Sequence, residues 1–345
     1  MGFALKEIFY LIFDNNCLFE TVSMGRGSGY GKVILFGDHF VVHGVPGIVS
    51  AIDSTADAEV RKAEDRITVR DERKGAKDYT ERKKAQQEES IERMLRTLGI
   101  DPGKISLEIR LGGNLPSFSG IGASAASSVA IARAIADEFG MTLSDEKIND
   151  IAYEAEKAYA GTPSGIDNTA ATYGGLIWFR RNLGEGPNVI EKLSTRQPIE
   201  IVLCNTGIVA DTKGMVAGVA ERKKRNPKKY DSLFKQAEAL AFTAREALQE
   251  FDLRKVGKLM NENHRLLQEI EVSCKELDYL VTLAREQGAF GAKLTGGGGG
   301  GCMVALTPRK ELQEEVAAAM EKEKFQVLRT KIGIGDFHRG RKDGI

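Results

Sequence analysis

Apolar residues recur at strand spacing in some stretches of this chain and at helix spacing in others, and the two kinds interleave along its length. Strand-like runs occupy 32–42 (broken at Gly37-Asp38), 45–51, 57–61, 105–111, 175–180, 199–204, 290–294, 302–306 and 325–332. Helix-period runs occupy about 79–98, 123–139, 144–160, 212–224, 228–251, 252–267, 275–287 and 309–322. In the second of these, Val129, Ile131, Ala132, Ile135, Ala136 and Phe139 fall on one face. The charged stretch 61–92 reads as a solvated helix over a sheet. Loop 182–198, with Gly184, Gly186, Pro187 and Pro198, is the best place for a domain boundary. The order predicts an α+β fold of two halves with mixed sheets and no internal repeat.

Composition narrows the picture. Lys+Arg and Asp+Glu both number 49, so the formal charge is zero, which gives no support for nucleic acid or an anionic membrane as partner. The four cysteines, Cys17, Cys204, Cys274 and Cys302, form no CxxC pair, and the four histidines are scattered. A zinc site and a disulfide framework are not expected, and a reducing cytosol is. The first 23 residues contain an apolar stretch interrupted by Lys6-Glu7, too short to span a membrane and without the marks of a secretory signal. They read as an extension outside the functional fold. The 38 glycines cluster at 25–31, 112–122 and 296–301, which suggests backbone approach to a ligand at several places.

Candidate chemistry centres on the run 114–128, NLPSFSGIGASAASS, placed between a strand and a helix. Small residues let a backbone close around an anion, and the first turn of the helix offers free N–H groups and the positive end of its dipole. Ser124 in that turn can reach a metal bound to phosphates. A Walker loop fails, because Arg26 and Val33 stand where Gly and Ser/Thr belong around Gly31-Lys32. A dinucleotide fingerprint over 120–125 fails too, because a second helix follows where a strand is required.

Four further segments carry polar residues in unusual places. In 29–44 (GYGKVILFGDHFVVHG), Lys32 heads a buried strand and Asp38-His39 interrupt an apolar run. A surface strand end and a turn cap are the plainer alternatives. Glu154 and Glu156 lie two apart on a helix, so at most one can face a site. In 163–168 (PSGIDN), Asp167 sits in a tight turn as a candidate base; the alternative is an N-cap of a helix starting near Asn168. Lys293-Leu294-Thr295 precedes six glycines, Gly296, Gly297, Gly298, Gly299, Gly300 and Gly301, then Cys302. Six glycines in a sheet pattern need a compensating contact, and an anion against the backbone is the candidate.

Segments 31–44, 114–128 and 293–302 resemble, in order and spacing, the three signature motifs of the GHMP small-molecule kinases, a superfamily that includes galactokinase, homoserine kinase, mevalonate kinase and phosphomevalonate kinase. KVILFGDHFVVHG, GTPSGIDN and KLTGGGGGGC together are most similar to the mevalonate kinase branch. The resemblance implies two lobes with the site between them, here 24–190 and 191–345, and ATP and Mg²⁺ as cosubstrate and metal. It implies mevalonate as acceptor at its 5-hydroxyl, with another kinase of the superfamily or a non-catalytic metabolite sensor as alternatives. A homodimer is left open. At matching positions, Asp167 is the base toward the acceptor hydroxyl and Lys32 its partner. Ser124 and Glu156 are metal ligands. Pro116, Ser117, Phe118, Ser119, Gly120, Ile121, Gly122, Ala123, Ser124 and Ala125 surround the ATP phosphates. Asp38, His39 and Thr212 belong to the acceptor pocket. The sequence departs from the pattern at Asp38 (usually Glu), Ala123 (usually Ser), Gly29-Tyr30 (usually Ala-Pro) and Ala210-Asp211 (usually Arg-Ser). The last exchanges a positive charge for a negative one beside the pocket.

Overall fold

The structure is a computed structural model and describes residues 24–75, 81–117 and 120–334. The N-terminal extension, Phe118 and Ser119 lie outside the described residues.

Strand β1 (Gly25–Phe36) runs antiparallel to the long β2 (Gly47–Lys62), joined through a 3-10 turn, Asp38–His43. The opposite edge of β2 is shared. Residues 56–62 pair with β4 (Leu107–Gly113) and 47–50 pair with β5 (Leu176–Arg180). With β3 (Thr68–Asp71) beside β4 and β6 (Val189–Leu193) beside β5, the first sheet has six strands. The second is antiparallel in the order β10 (Gln326–Ile332), β7 (Ile199–Asn205), β9 (Cys302–Leu306), β8 (Gly291–Thr295).

Helix α1 (Lys84–Thr97) precedes β4; α2 (Ala123–Glu138), α3 (Asp145–Ala160) and α4 (Ile166–Tyr173) lie between β4 and β5. Helices α5 (Thr212–Arg225), α6 (Pro227–Glu250), α7 (Leu253–Glu269) and α8 (Lys275–Glu286) separate β7 from β8, and α9 (Lys310–Lys322) separates β9 from β10. The α+β fold is as expected, and most elements fall within a few residues of the pattern.

Three differences have clear causes. The runs 45–51 and 57–61 are one strand: burial alternates through Ile52 to Val60, with Asp53 and Thr55 on the outward half and the polar Ser54 buried on the inward half. The loop 182–198 contains β6, whose first four residues are exposed and so carry no burial pattern to read. The chain therefore changes sheet at 194–198. The glycines at 25–31 serve packing. A Cβ on Gly25, Gly27 or Gly29 would run into the backbone oxygen of Ala134, Ala130 or Ala126. A strand period of two thus meets a helix period of four, and α2 lies directly on β1. That contact fixes the start of α2 above Lys32.

Candidate active site

A cavity of about 130 Å³ opens between the two sheets' lobes, lined by residues from β1, the phosphate loop, α3, α4, α5 and the glycine run. Its floor is Lys32. The backbone N–H of Lys32 donates to Ile121 O at 2.9 Å, tying β1 to the loop. Its stem passes over Gly122, where a Cβ would fall 2.6 Å from Lys32 Cγ; Gly122 is the αL N-cap of α2. The ammonium meets Asp167 Oδ1 at 2.9 Å, with Lys32 2% and Asp167 38% exposed. Asp167 does not cap its helix. The N-cap of α4 is Gly165 at φ +91°, and Asp167 lies in the first turn with its carboxylate toward the cavity. The strand-end alternative for Lys32 and the capping alternative for Asp167 both fall.

Opposite this pair, Ser124 Oγ donates to Glu156 Oε2 at 3.2 Å and Ser128 Oγ to Oε1 at 3.5 Å. Glu156 is buried. Desolvation, joined by the charge of Asp167, pushes its carboxyl up to about 8 against the pull of Ser124 and Lys32. Glu154 faces away and pairs with Lys157 Nζ at 2.5 Å. Of the phosphate loop, Gly120, Gly122, Ala123 and Ser124 reach the cavity, whereas Ile121 and Ala125 are packed in the core and Ser117 bonds to Asp71 Oδ2 at 3.2 Å.

Among the residues expected at an acceptor pocket, Asp38 stands apart. This residue borders the cavity, but its carboxylate turns into the protein. It meets Lys293 Nζ at 2.7 Å with both side chains 0% exposed, and it accepts from Asn263 Nδ2 at 3.3 Å and Gly296 N at 3.0 Å. Asp38 has φ +40°, a left-handed backbone unusual outside glycine. Three partners from the far lobe over-determine it. His39 Nε2 lies 2.8 Å from Gly297 O, and burial lowers the affinity of its ring for a second proton. Thr212, the first residue of α5, lies beside Gly297, where a Cβ would come within 2.5 Å of its Oγ1. The negative charge added at Asp211 is turned to its own helix, since its Oδ1 accepts from Gly214 N at 3.0 Å.

Five of the six glycines fall into two groups. Gly296 and Gly297 line the cavity, and Gly296 packs on the backbone of Gly120. Gly298, Gly299 and Gly300 abut Val272, Met215 and Ile208 of the same lobe, so no anion is needed to explain them. The sequence reading missed Asn263 and the role of Lys293. The available signal was polarity on the buried face of an amphipathic helix (Asn263-His264) and within a strand of five buried residues.

Comparison with known proteins gives the family. The GHMP kinases N terminal domain model matches residues 87–175 and the GHMP kinases C terminal model residues 244–326. A mevalonate kinase of Thermococcus sibiricus is 34% identical over 314 residues, covering 85% of this chain and 92% of that one. The chain belongs to the GHMP kinases. A Pyrococcus horikoshii mevalonate kinase is 33% identical over 85% of this GHMP kinase and 91% of its own length. The crystal structure of L. major mevalonate kinase in complex with R-mevalonate superposes with a TM-score of 0.82 at 39% identity, covering 89% of this chain and 95% of that one. This GHMP kinase is thus an ATP-dependent small-molecule kinase. No helix among the described residues is long and apolar enough to cross a membrane.

Proposed function

We propose that this kinase transfers the terminal phosphoryl group of ATP, with Mg²⁺, to the 5-hydroxyl of mevalonate in the cytosol. The observation that carries the reading is the Lys32–Asp167 pair at 2.9 Å on the floor of a cavity whose other wall is Ser124–Glu156. Relatives that act on mevalonate, at 33–39% identity over most of the chain, supply the acceptor.

Phosphoryl transfer asks a protein mainly for positioning and charge neutralisation. Asp167 accepts the hydroxyl proton, and Lys32 holds that carboxylate in place and offsets charge as it develops. The N-terminus of α2 faces the phosphates with its free N–H groups. The oxygens of Ser124 and Glu156 fit Mg²⁺, an ion that takes one or two protein oxygens beside phosphate and water. Glu156 is a buried carboxylate, and Lys32, whose charge favours its ionised form, is already paired with Asp167, so a cation is what that form lacks. Bound there, Mg²⁺ would neutralise phosphate charge. His39 and Thr212 line the acceptor end, while Asp38 acts on it through the backbone of Gly296. We assign 24–193 as the nucleotide lobe, three residues beyond the expected boundary at 190 because β6 belongs to the first sheet, and 194–334 as the second lobe. The test is ADP release against a panel of mevalonate, phosphomevalonate, homoserine and galactose, with the product identified by phosphorus NMR. Turnover on mevalonate at least tenfold above the others is expected; turnover on none, or preference for another acceptor, overturns the reading.

A further inference from the structure

Beside the main cavity lies a smaller one, and the two share Lys83, Ala123, Ser124 and Tyr159 as walls. Arg73 forms part of the smaller cavity. Its side chain is only 3% exposed, and its guanidinium fork is engaged with Asp71: Nε donates to Oδ1 at 2.9 Å and Nη2 to Oδ2 at 2.7 Å. Ser117 of the phosphate loop donates to the same carboxylate, and its backbone N–H donates to Lys74 O at 2.8 Å. The Arg73–Asp71 unit is therefore fastened to the loop and fixed in direction. Its remaining nitrogen, Nη1, is buried with no hydrogen-bond partner among the described residues. Burying a charged donor without an acceptor is unfavourable, and such atoms in native proteins call for an explanation.

Lys83 gives a second observation. It precedes α1, is half-buried, and lines both cavities. No ion pair is found for it among the described residues. The carboxylates facing it are Glu156 and Asp211, and both have other hydrogen-bond donors. Arg73 and Asp71 cancel in charge, so Lys83 supplies the net positive charge here. Burial lowers its proton affinity, and an anion would restore it.

We propose that Lys83 and Arg73 Nη1 form a cationic subsite for the nucleotide's outer phosphates, flanking the first turn of α2 on the side away from Asp167. The proposal deepens the kinase reading by adding two residues outside the signature motifs to the phosphate grip. The helix N-terminus holds the phosphates from one direction, and the two side chains hold them from a second. Lys83 serves as a point charge on oxygens in the main cavity. Arg73 donates one directed bond from the side cavity, with its orientation already set by Asp71.

The test measures nucleotide binding without acceptor, by calorimetry at constant Mg²⁺ and ionic strength, so that it stands apart from acceptor identity. Lys83→Met removes the charge and keeps the length. Asp71→Asn combined with Arg73→Gln neutralises the pair together and leaves no unpaired buried carboxylate. Each is expected to weaken ATP about tenfold or more, the loss of one charge-assisted bond, while AMP affinity changes less than twofold. Lys83→Arg should recover most of the affinity, and circular dichroism reports folding. ATP affinity unchanged in both variants overturns the proposal. So does equal weakening of ATP and AMP, which would place the two side chains at the base or in the fold. A rise in acceptor KM at unchanged ATP affinity would move Lys83 to the acceptor half and also overturn it.

Discussion

Asp167→Asn separates a catalytic carboxylate from a structural one. The substitution keeps size and one acceptor oxygen, so Lys32 Nζ still faces an oxygen at a position where it now has an ion pair. Helix α4 loses no cap, since Gly165 holds that place and Asp167 makes no capping bond. Removing one partner of a fully buried pair costs about 3–5 kcal/mol. Here Asp167 is 38% exposed and the acceptor survives, so the stability loss should be about 1–2 kcal/mol. The effect on rate is larger. A general base contributes about 10²–10⁴-fold, or about 3–5 kcal/mol of barrier. Nucleotide affinity should move the other way or not at all. The charge of Asp167 is one cause of the raised proton affinity of Glu156, and Asn removes it, so Glu156 ionises more readily. The assay pairs acceptor-dependent ADP release with ATP–Mg²⁺ affinity by calorimetry. A rate within a few-fold of the parent, or a loss of ATP affinity matching the loss of rate, would refute the reasoning.

Ser124→Ala and Glu156→Gln should each raise the Mg²⁺ concentration for half-maximal rate, while Glu154→Gln, whose carboxylate faces Lys157, leaves it unchanged; equal curves for all four proteins would place the metal elsewhere. Gly298→Ala puts a Cβ against Val272 O at φ +64° and should cost about 2 kcal/mol or more in chemical denaturation. Gly297→Ala, pressing on Thr212 in the cavity, should instead lower kcat/KM with little change in midpoint, and the reverse pattern would contradict the division of the glycine run. His264 Nδ1 accepts from Leu294 N at 3.3 Å, so that nitrogen must be unprotonated, and burial holds the ring down to about 4 against the opposing pull of Asp278. The folded pKa lies below the unfolded value near 6.5, so this contribution to stability is present above about 6.5 and is lost as pH falls toward 4. His264→Gln, which keeps a donor and an acceptor, should flatten the decline in melting temperature between pH 6.5 and 4; an unchanged slope would assign it to other groups.

What the sequence determined by itself was set by local physics. A glycine-rich turn entering a helix points to an anion site wherever the fold places it, and the helix-period spacing of α7 marks the face that packs inward, whereas α2 is buried on nearly all sides. Helix geometry said that at most one of Glu154 and Glu156 could face a site, and the family resemblance chose Glu156. Ordered motifs marked the kinase family before any contact was known. The direction of each polar side chain was not set locally. Lys32 and Asp167 lie far apart in sequence and meet only because α2, α4 and β1 pack together. The family resemblance makes Asp38 a pocket residue, yet Lys293 and Asn263 on two elements of the other lobe draw its carboxylate inward. Gly25, Gly27, Gly29, Gly298, Gly299 and Gly300, read as ligand contacts, instead answer to a helix lying on a strand and to a loop threading its own lobe. A buried charge must find its partner wherever the chain brings one, and a missing side chain is used by whatever packs against it. Both depend on long-range neighbours, which only the tertiary structure supplies.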